Sequence, residues 1–369
     1  MDSLITRLFD LVIAIQQIPA PTFHETERAG FVRTHFAGEG LADVQLDDVG
    51  NVYARLPGTS HGKMLVVSAH MDTVFPASID LHCELEPERI LAPGIGDNSL
   101  GVAALFGLVW ALRERCLSLP GDLWLVANVC EEGLGDLRGI RAVVDRFGAG
   151  PLAYIVLEGM ALGQIYHRGL GVQRYRITVR TSGGHSWIDY GQPSAVHELA
   201  ALSTHITALS LPRTPRSTLN IGVISGGSSV NTIAAEAMLE LDLRSERAET
   251  LEMIAGQVAQ IVHAAEKPGV TVEMEIIGQR PSGEIPPEHP LVILAQDCLH
   301  TVGIEPHLNI GSTDANLPLS RGIPAVTIGL TTGGRAHSVH EFINLAPLEK
   351  GMEQAIGLVS RVWNIASNE

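Results

Sequence analysis

Acids and histidines stand in this sequence where apolar segments stop. His70-Met71-Asp72 follows LVVSA (65–69), and Asp97 sits in PGIGDNSLG, ahead of a long apolar stretch. Glu131-Glu132 follow DLWLVANVC (122–130), Glu158 ends LAYIVLEG, and His337 lies in GGRAHSVHEF, just after PAVTIGL. Carboxylates and imidazoles ligate divalent ions, and a mixed set suits zinc, with cobalt or manganese as alternatives. The set is large enough for two ions about 3.5–4 Å apart, an arrangement that polarises a carbonyl and activates a water. Glu131 and Glu132 carry the sharpest signal. Two adjacent like charges directly after a largely apolar strand are costly without a cation. Singly, each of these residues reads as a cap or an ordinary loop residue; together, a metal accounts for them better.

Other chemistries fit poorly. The chain has no HExxH and no GxSxG, and PGIGDNSLG lacks the third glycine of a dinucleotide fingerprint. Ser186 and Ser312 have no visible triad partners. Cys130 borders Glu131 but reads as a small buried strand residue.

The elements that must position these groups follow from periodicity. From about 48 to 167 apolar strands alternate with helices, among them SLGVAALFGLVWALRER (99–115), apolar on most faces and hence buried. Such alternation predicts an α/β domain with a mostly parallel sheet flanked by helices, and ligands collect at the C-terminal ends of its strands. After about 168 the pattern changes. QRYRITVRT alternates as a strand with one buried face. SAVHELAALSTHITAL and ETLEMIAGQVAQIVHAAEK read as helices, and LNIGVISGG, EAMLELDLR and VTVEMEII as strands. The order β-α-β-β-α-β is ferredoxin-like. From about 279 the α/β character returns. A catalytic, metal-binding domain of residues 1–167 and 279–369 with an inserted α+β domain over 168–278 is therefore expected.

Bulk properties exclude several classes. The 369 residues are 45% hydrophobic and carry a formal net charge of −16, which disfavours nucleic acid and anionic membranes as partners. Cys83, Cys116, Cys130 and Cys298 form no disulfide framework. The N-terminal segment reads as an amphipathic helix rather than a signal peptide, and no run reaches the roughly 18 apolar residues of a membrane span. The expectation is a cytoplasmic protein.

On these motifs the chain resembles the di-zinc hydrolase family containing aminoacylase, glutamate carboxypeptidase, peptidase T and succinyl-diaminopimelate desuccinylase. HMDTV, GIGDNSLGVAAL, CEEG, VLEG and AHSVHEF occur in the family's order, and the resemblance covers nearly the whole chain. It implies two divalent metal ions, with zinc favoured. His70 and Glu158 would ligate the first, Glu132 and His337 the second, and Asp97 would bridge them. Asp72 would orient His70. Glu131 would be the general acid/base. His340 rivals His337, but the family's histidine stands about four residues before a glutamate, here Glu341. The inserted domain would carry dimerisation. There the resemblance places His185 as an oxyanion donor reaching a partner subunit, and Asn231 and Arg244 as binders of a substrate carboxylate. Arg280 and Ser312 would add contacts. The implied activity is cleavage of an amide bond in a short peptide or N-acyl amino acid by a homodimer, carboxypeptidase- or acylase-like. The alternatives are a peptidase T-like aminopeptidase and a catalytically degenerate binding protein of the same fold.

Overall fold

The computed structural model describes residues 3–60 and 63–365. The chain forms two compact units, Met1–Gly169 with Gly283–Glu369, and Leu170–Ser282. The second crossing falls after Ser282 rather than at 278–279, because the last strand of the insert runs on through Arg280.

The larger unit is built on a nine-stranded sheet. At its centre Leu123–Asn128, Met64–His70, Pro151–Glu158 and Ala325–Gly329 lie parallel in that order. Antiparallel neighbours close the margins: Val52–Leu56 pairs with Leu123–Asn128, and Gln164–Gly169 with Ala325–Gly329. The central strands are near-continuous runs of Val, Leu, Ile and Ala, and residues such as Val66, Val67, Leu125, Val126, Ile155 and Val156 are wholly buried. Burial on both faces is why they do not alternate with polar residues. The helix Leu100–Glu114 is buried from Leu100 to Leu112 and packs against Ser3–Gln16. Among the described residues one helix, Ile95–Glu114, is long and apolar enough to cross a membrane, but 94% of it is buried within the unit and it serves as a core helix.

The inserted unit has an antiparallel sheet in the order Ser217–Gly226, Glu236–Ser245, Gly171–Thr181, Val270–Arg280. The helices Ala195–Thr207 and Ala248–Ala264 bury Leu199, Ile254 and Val258 with Ile177, Val179, Leu239 and Leu241 in a core of their own. Alternate strand residues carry an ion-pair ladder: Arg174–Asp242 at 2.9 Å, Arg176–Glu240 at 2.8 Å and Arg180–Glu236 at 2.8 Å. Opposite charges in register across strands add modestly to pairing, about 0.2–1 kcal/mol each.

Two glycines of the helix Leu348–Arg361 give an internal test of its packing. A Cβ on Gly351 would overlap the Leu330 carbonyl at the end of a central strand, whereas one on Gly357 would meet only the Cys298 Sγ at 3.4 Å. Overpacking typically costs about 1–3 kcal/mol, while Gly→Ala at an open helix position gains roughly 0.5–1 kcal/mol. Gly351→Ala is expected to lower the urea midpoint and Gly357→Ala to hold or raise it; equal effects would mean that the helix does not seat on Leu330.

Candidate metal centre

The C-terminal ends of the parallel strands gather the acids and histidines. His70 ends its strand and Glu158 the next, while Glu131 and Glu132 follow the strand that ends at Asn128. Asp97 enters from the loop before the core helix and His337 from the loop after Ala325–Gly329.

Asp97 stands between two groups of donors. Its Oδ1 lies 3.1 Å from His70 Nε2, and its Oδ2 lies 3.0 Å from His337 Nε2. Glu158 Oε2 is 3.8 Å from His70 Nε2, and Glu132 Oε1 is 3.2 Å from His337 Nε2. Two trios result, His70–Asp97–Glu158 and Asp97–Glu132–His337, whose donor atoms lie within 4.8 Å of one another. Metal–ligand bonds of about 2.0–2.2 Å put the donors of a tetrahedral ion roughly 3.3–3.6 Å apart, so each trio suits one ion. A third trio, His70–Glu131–Glu132, meets the same limit and brings Glu131 to the cluster. His340 is exposed and belongs to none of these groups, so the geometry brings in His337.

The charge balance also fits cations. Burial raises the Glu158 carboxyl, and Asp97 and Glu132 add to the shift. The same burial opposes charge on His70, but Asp72, Asp97 and Glu158 outweigh it and hold the imidazole well above its ordinary value. Hydrogen bonds to Asp97 and Glu132 push His337 up to about 10. The carboxylates thus draw positive charge onto both imidazoles, and a metal ion supplies it more fully.

Backbone-locking side chains hold each donor. Asp72 is fully buried and accepts the amides of Glu131 and Glu132, each at 2.9 Å, and the Thr22 hydroxyl at 2.9 Å. His70 Nδ1 faces the Asp72 carbonyl at 3.1 Å, which turns Nε2 toward Asp97 and Glu158. The Asn98 side chain donates to Leu157 O at 2.8 Å and accepts from Gly159 N at 2.9 Å, bracketing Glu158. Glu341 Oε1 accepts the amides of Gly96 and Asp97, at 2.7 and 2.8 Å. Glu25 accepts Cys130 N at 3.0 Å, just before the paired glutamates. The buried Arg28 donates to Ile18 O, at 3.0 Å from Nε, and to Met71 O at 2.8 Å.

The other expected residues lie elsewhere. His185, Asn231, Arg244 and Arg280 belong to the inserted unit. His185 pairs with Thr232, and Ser186 N donates to Asn231 O at 3.0 Å, so His185 and Asn231 are neighbours there. The amide of Trp187 donates to His185 Nδ1 at 3.2 Å, which leaves Nε2 as the protonated nitrogen of a neutral ring. Arg244 Nε donates to Asp242 at 2.7 Å. Arg244 and Arg280 both pair in register with Val172, from opposite sides. Ser312 stays in the larger unit, in the loop that also carries Asp314.

Sequence reasoning missed Thr22, Glu25, Arg28, Asn98 and Asp314. Asn98 and Asp314 lie inside motifs already singled out, GIGDNSLG and GSTDAN, and a polar residue in a glycine-rich loop beside a ligand was the available signal. Asp314 is fully buried, accepts from Asn128 Nδ2 at 2.7 Å, and burial pushes it up to about 7, with Glu158 and Asp72 adding. Its folded value exceeds the unfolded one. The unfolded chain therefore loses this proton first as pH rises, and stability falls from about pH 4 until the folded group has also ionised near 7. A shift of this size corresponds to at most about 4 kcal/mol. In chelator-treated protein, Asp314→Asn is expected to gain stability relative to wild type between pH 4 and 8, read from denaturant midpoints; a difference that stays flat with pH would refute the assignment.

The chain matches the family described as Peptidase family M20/M25/M40 over residues 66–361. It is 24% identical over 370 residues to YqjE, an uncharacterised protein of Bacillus subtilis, covering 96% of this chain and 97% of that one. A tripeptidase from Staphylococcus aureus shares the fold with a TM-score of 0.82 at 21% identity, covering 98% of this chain and 99% of that one. Bacillus subtilis YXEP, described as a dinuclear metal-binding peptidase of the same family, shares it with a TM-score of 0.72 at 17% identity, over 98% and 99% of the two chains. The family match takes in every donor of the cluster from His70 to His337, and the chain belongs to peptidase family M20/M25/M40, hydrolases of peptide and amide C–N bonds.

Proposed function

We propose that this hydrolase uses two divalent metal ions, zinc first among them, to cleave an amide bond in a short peptide or N-acyl amino acid that carries a free carboxylate. The observation that carries the reading is the placement of the two Asp97 oxygens, each about 3 Å from a different histidine. His70, Asp97 and Glu158 would hold one ion and Asp97, Glu132 and His337 the other. The dinuclear character of YXEP supports the same count.

Ions in this cradle supply Lewis acidity for the scissile carbonyl and for a water beside it. Glu131 takes the proton of that water and passes it to the leaving nitrogen. Its burial beside Glu132 and the lock on its amide by Asp72 fix the carboxylate at the reacting atoms. In this reading His185 gives the oxyanion a hydrogen bond from Nε2, in a cytoplasmic homodimer formed through the inserted unit. Arg244 and Asn231 receive the substrate carboxylate, for which a guanidinium fork is well matched.

Glu131→Gln preserves shape and removes the base. It is expected to lower kcat by at least about 10²–10⁴-fold, with the metal content of the purified protein unchanged. Loss of metal together with activity would make Glu131 a ligand, as its own trio with His70 and Glu132 allows, and full activity after exhaustive chelation would sink the two-metal reading.

A second reading, an aminopeptidase acting on short peptides, is favoured by the likeness to the Staphylococcus aureus tripeptidase. A substrate panel separates the two. If a free α-carboxylate is required, C-terminally amidated peptides should not turn over, and Arg244→Ala should raise KM for the free acids. Turnover of amides but not of N-acylated peptides would establish the aminopeptidase.

A further inference from the structure

The inserted unit contains a cavity of about 330 Å³ between the start of the helix Ala195–Thr207 and the loop after the strand Ser217–Gly226. Ser194 is the N-cap of that helix, yet its hydroxyl caps nothing. The residue is only 9% exposed, lines the cavity, and its hydroxyl has no partner among the described residues. A buried hydroxyl left in this way is unusual, since buried polar side chains are nearly always hydrogen-bonded.

The backbone around it is similarly unspent. Ala195 N donates to Ala234 O at 2.8 Å and Glu198 N to Ser194 O at 3.0 Å. No described acceptor takes the amides of Val196 and His197, the N2 and N3 donors that an N-cap side chain ordinarily satisfies. Across the cavity stand Ser228 and Ser229. Their loop is braced by Gly227 N on Glu236 O at 3.1 Å, and the Ser228 hydroxyl lies 3.3 Å from that of Thr232. The lining includes His197 and contains no acid, in a chain of net charge −16.

We propose that this cavity binds a small tetrahedral oxyanion, a free phosphate or the phosphoryl group of a phosphomonoester. The first-turn amides and the Ser194 hydroxyl hold one side of the anion, and the hydroxyls of Ser228 and Ser229 the other. Helix N-termini receive such anions because their free amides converge and the helix dipole is positive there. Ser194 distinguishes this terminus from an ordinary one, since its hydroxyl points a buried donor into a space that only a ligand or water can fill. None of the lining residues belongs to the acid–histidine cluster.

The test is calorimetric titration of the full chain, at fixed metal loading and low ionic strength, with inorganic phosphate and separately with glycerol phosphate. Phosphate taken up at the metal cluster is common to all variants, so differences between variants read this cavity. Wild type should bind one equivalent more than Ser228→Asp, which places a negative charge opposite the helix. Ser194→Ala should keep the stoichiometry and weaken that equivalent by about tenfold, the loss of one hydrogen bond to a charged group. Uptake of inorganic phosphate alone would identify a free-anion site, and equal or tighter uptake of the ester a phosphomonoester site. The same stoichiometry in wild type and Ser228→Asp would overturn the proposal. So would unchanged affinity in Ser194→Ala, which decides alone should Ser228→Asp fail to fold.

Discussion

Repulsion among Asp72, Asp97, Glu131, Glu132 and Glu158, crowded at one edge of a sheet, constrains the rest of the larger unit. Two like charges about 4 Å apart repel by roughly 4 kcal/mol at an effective dielectric constant of 20. A few such pairs rival the whole stability of a domain, about 5–15 kcal/mol. The cluster can persist only if its backbone cannot spread and if positive charge enters it. Arg28 meets part of the second need from beneath, buried behind Asp72 and lowered by that burial to about 10. The histidines and the cations that the donor geometry fits meet the remainder.

The first need explains the second layer of side chains. Asp72 spends both oxygens on the amides of Glu131 and Glu132, so the residue that orients His70 also sets where the paired glutamates begin. Glu341 does the same for the Asp97 loop, and burial with the nearby Asp97 pushes its own carboxyl up to about 7. Asn98, neutral and so free of repulsion, ties that loop to both sides of Glu158. Donors distant in sequence are thereby fixed to one another through main-chain atoms. A cluster held in this way keeps its shape when an ion or a proton leaves, which is the preorganisation that electrostatic catalysis needs.

This division accounts for what the sequence revealed. The strands were legible because burial on both faces makes them continuous apolar runs, and the ligand-type residues were legible because they end those runs. The insert was legible because QRYRITVRT alternates with a period of two, and Tyr175, Ile177 and Val179 do turn inward while Arg174, Arg176 and Arg180 form the ladder. Arg28 was not legible. It lies in the helix Thr26–Gly38, whose apolar residues define no clear face, and a charged residue there reads as solvent-exposed until the fold shows it fully buried. Glu25 was hidden for a similar reason, since its partner Cys130 is far away in sequence and no local pattern joins them.

The insertion point shows how the host tolerates a second unit without disturbing this cluster. The chain leaves after Gly169 and returns at Gly283, and these two residues pair directly, with Arg168 opposite Glu284 and their side chains joined at 3.0 Å. The host sheet therefore closes across the gap with its own hydrogen bonds, as though the insert were a long hairpin loop. Closing a longer loop costs little extra, about 0.6 kcal/mol for each doubling of length, and the insert offsets its ordering with its own core around Ile177, Leu239 and Ile254. Every donor of the metal cluster lies in the host. Changes in the insert can accordingly alter what is bound or recognised while the geometry that bonds Asp97 to both histidines stays intact.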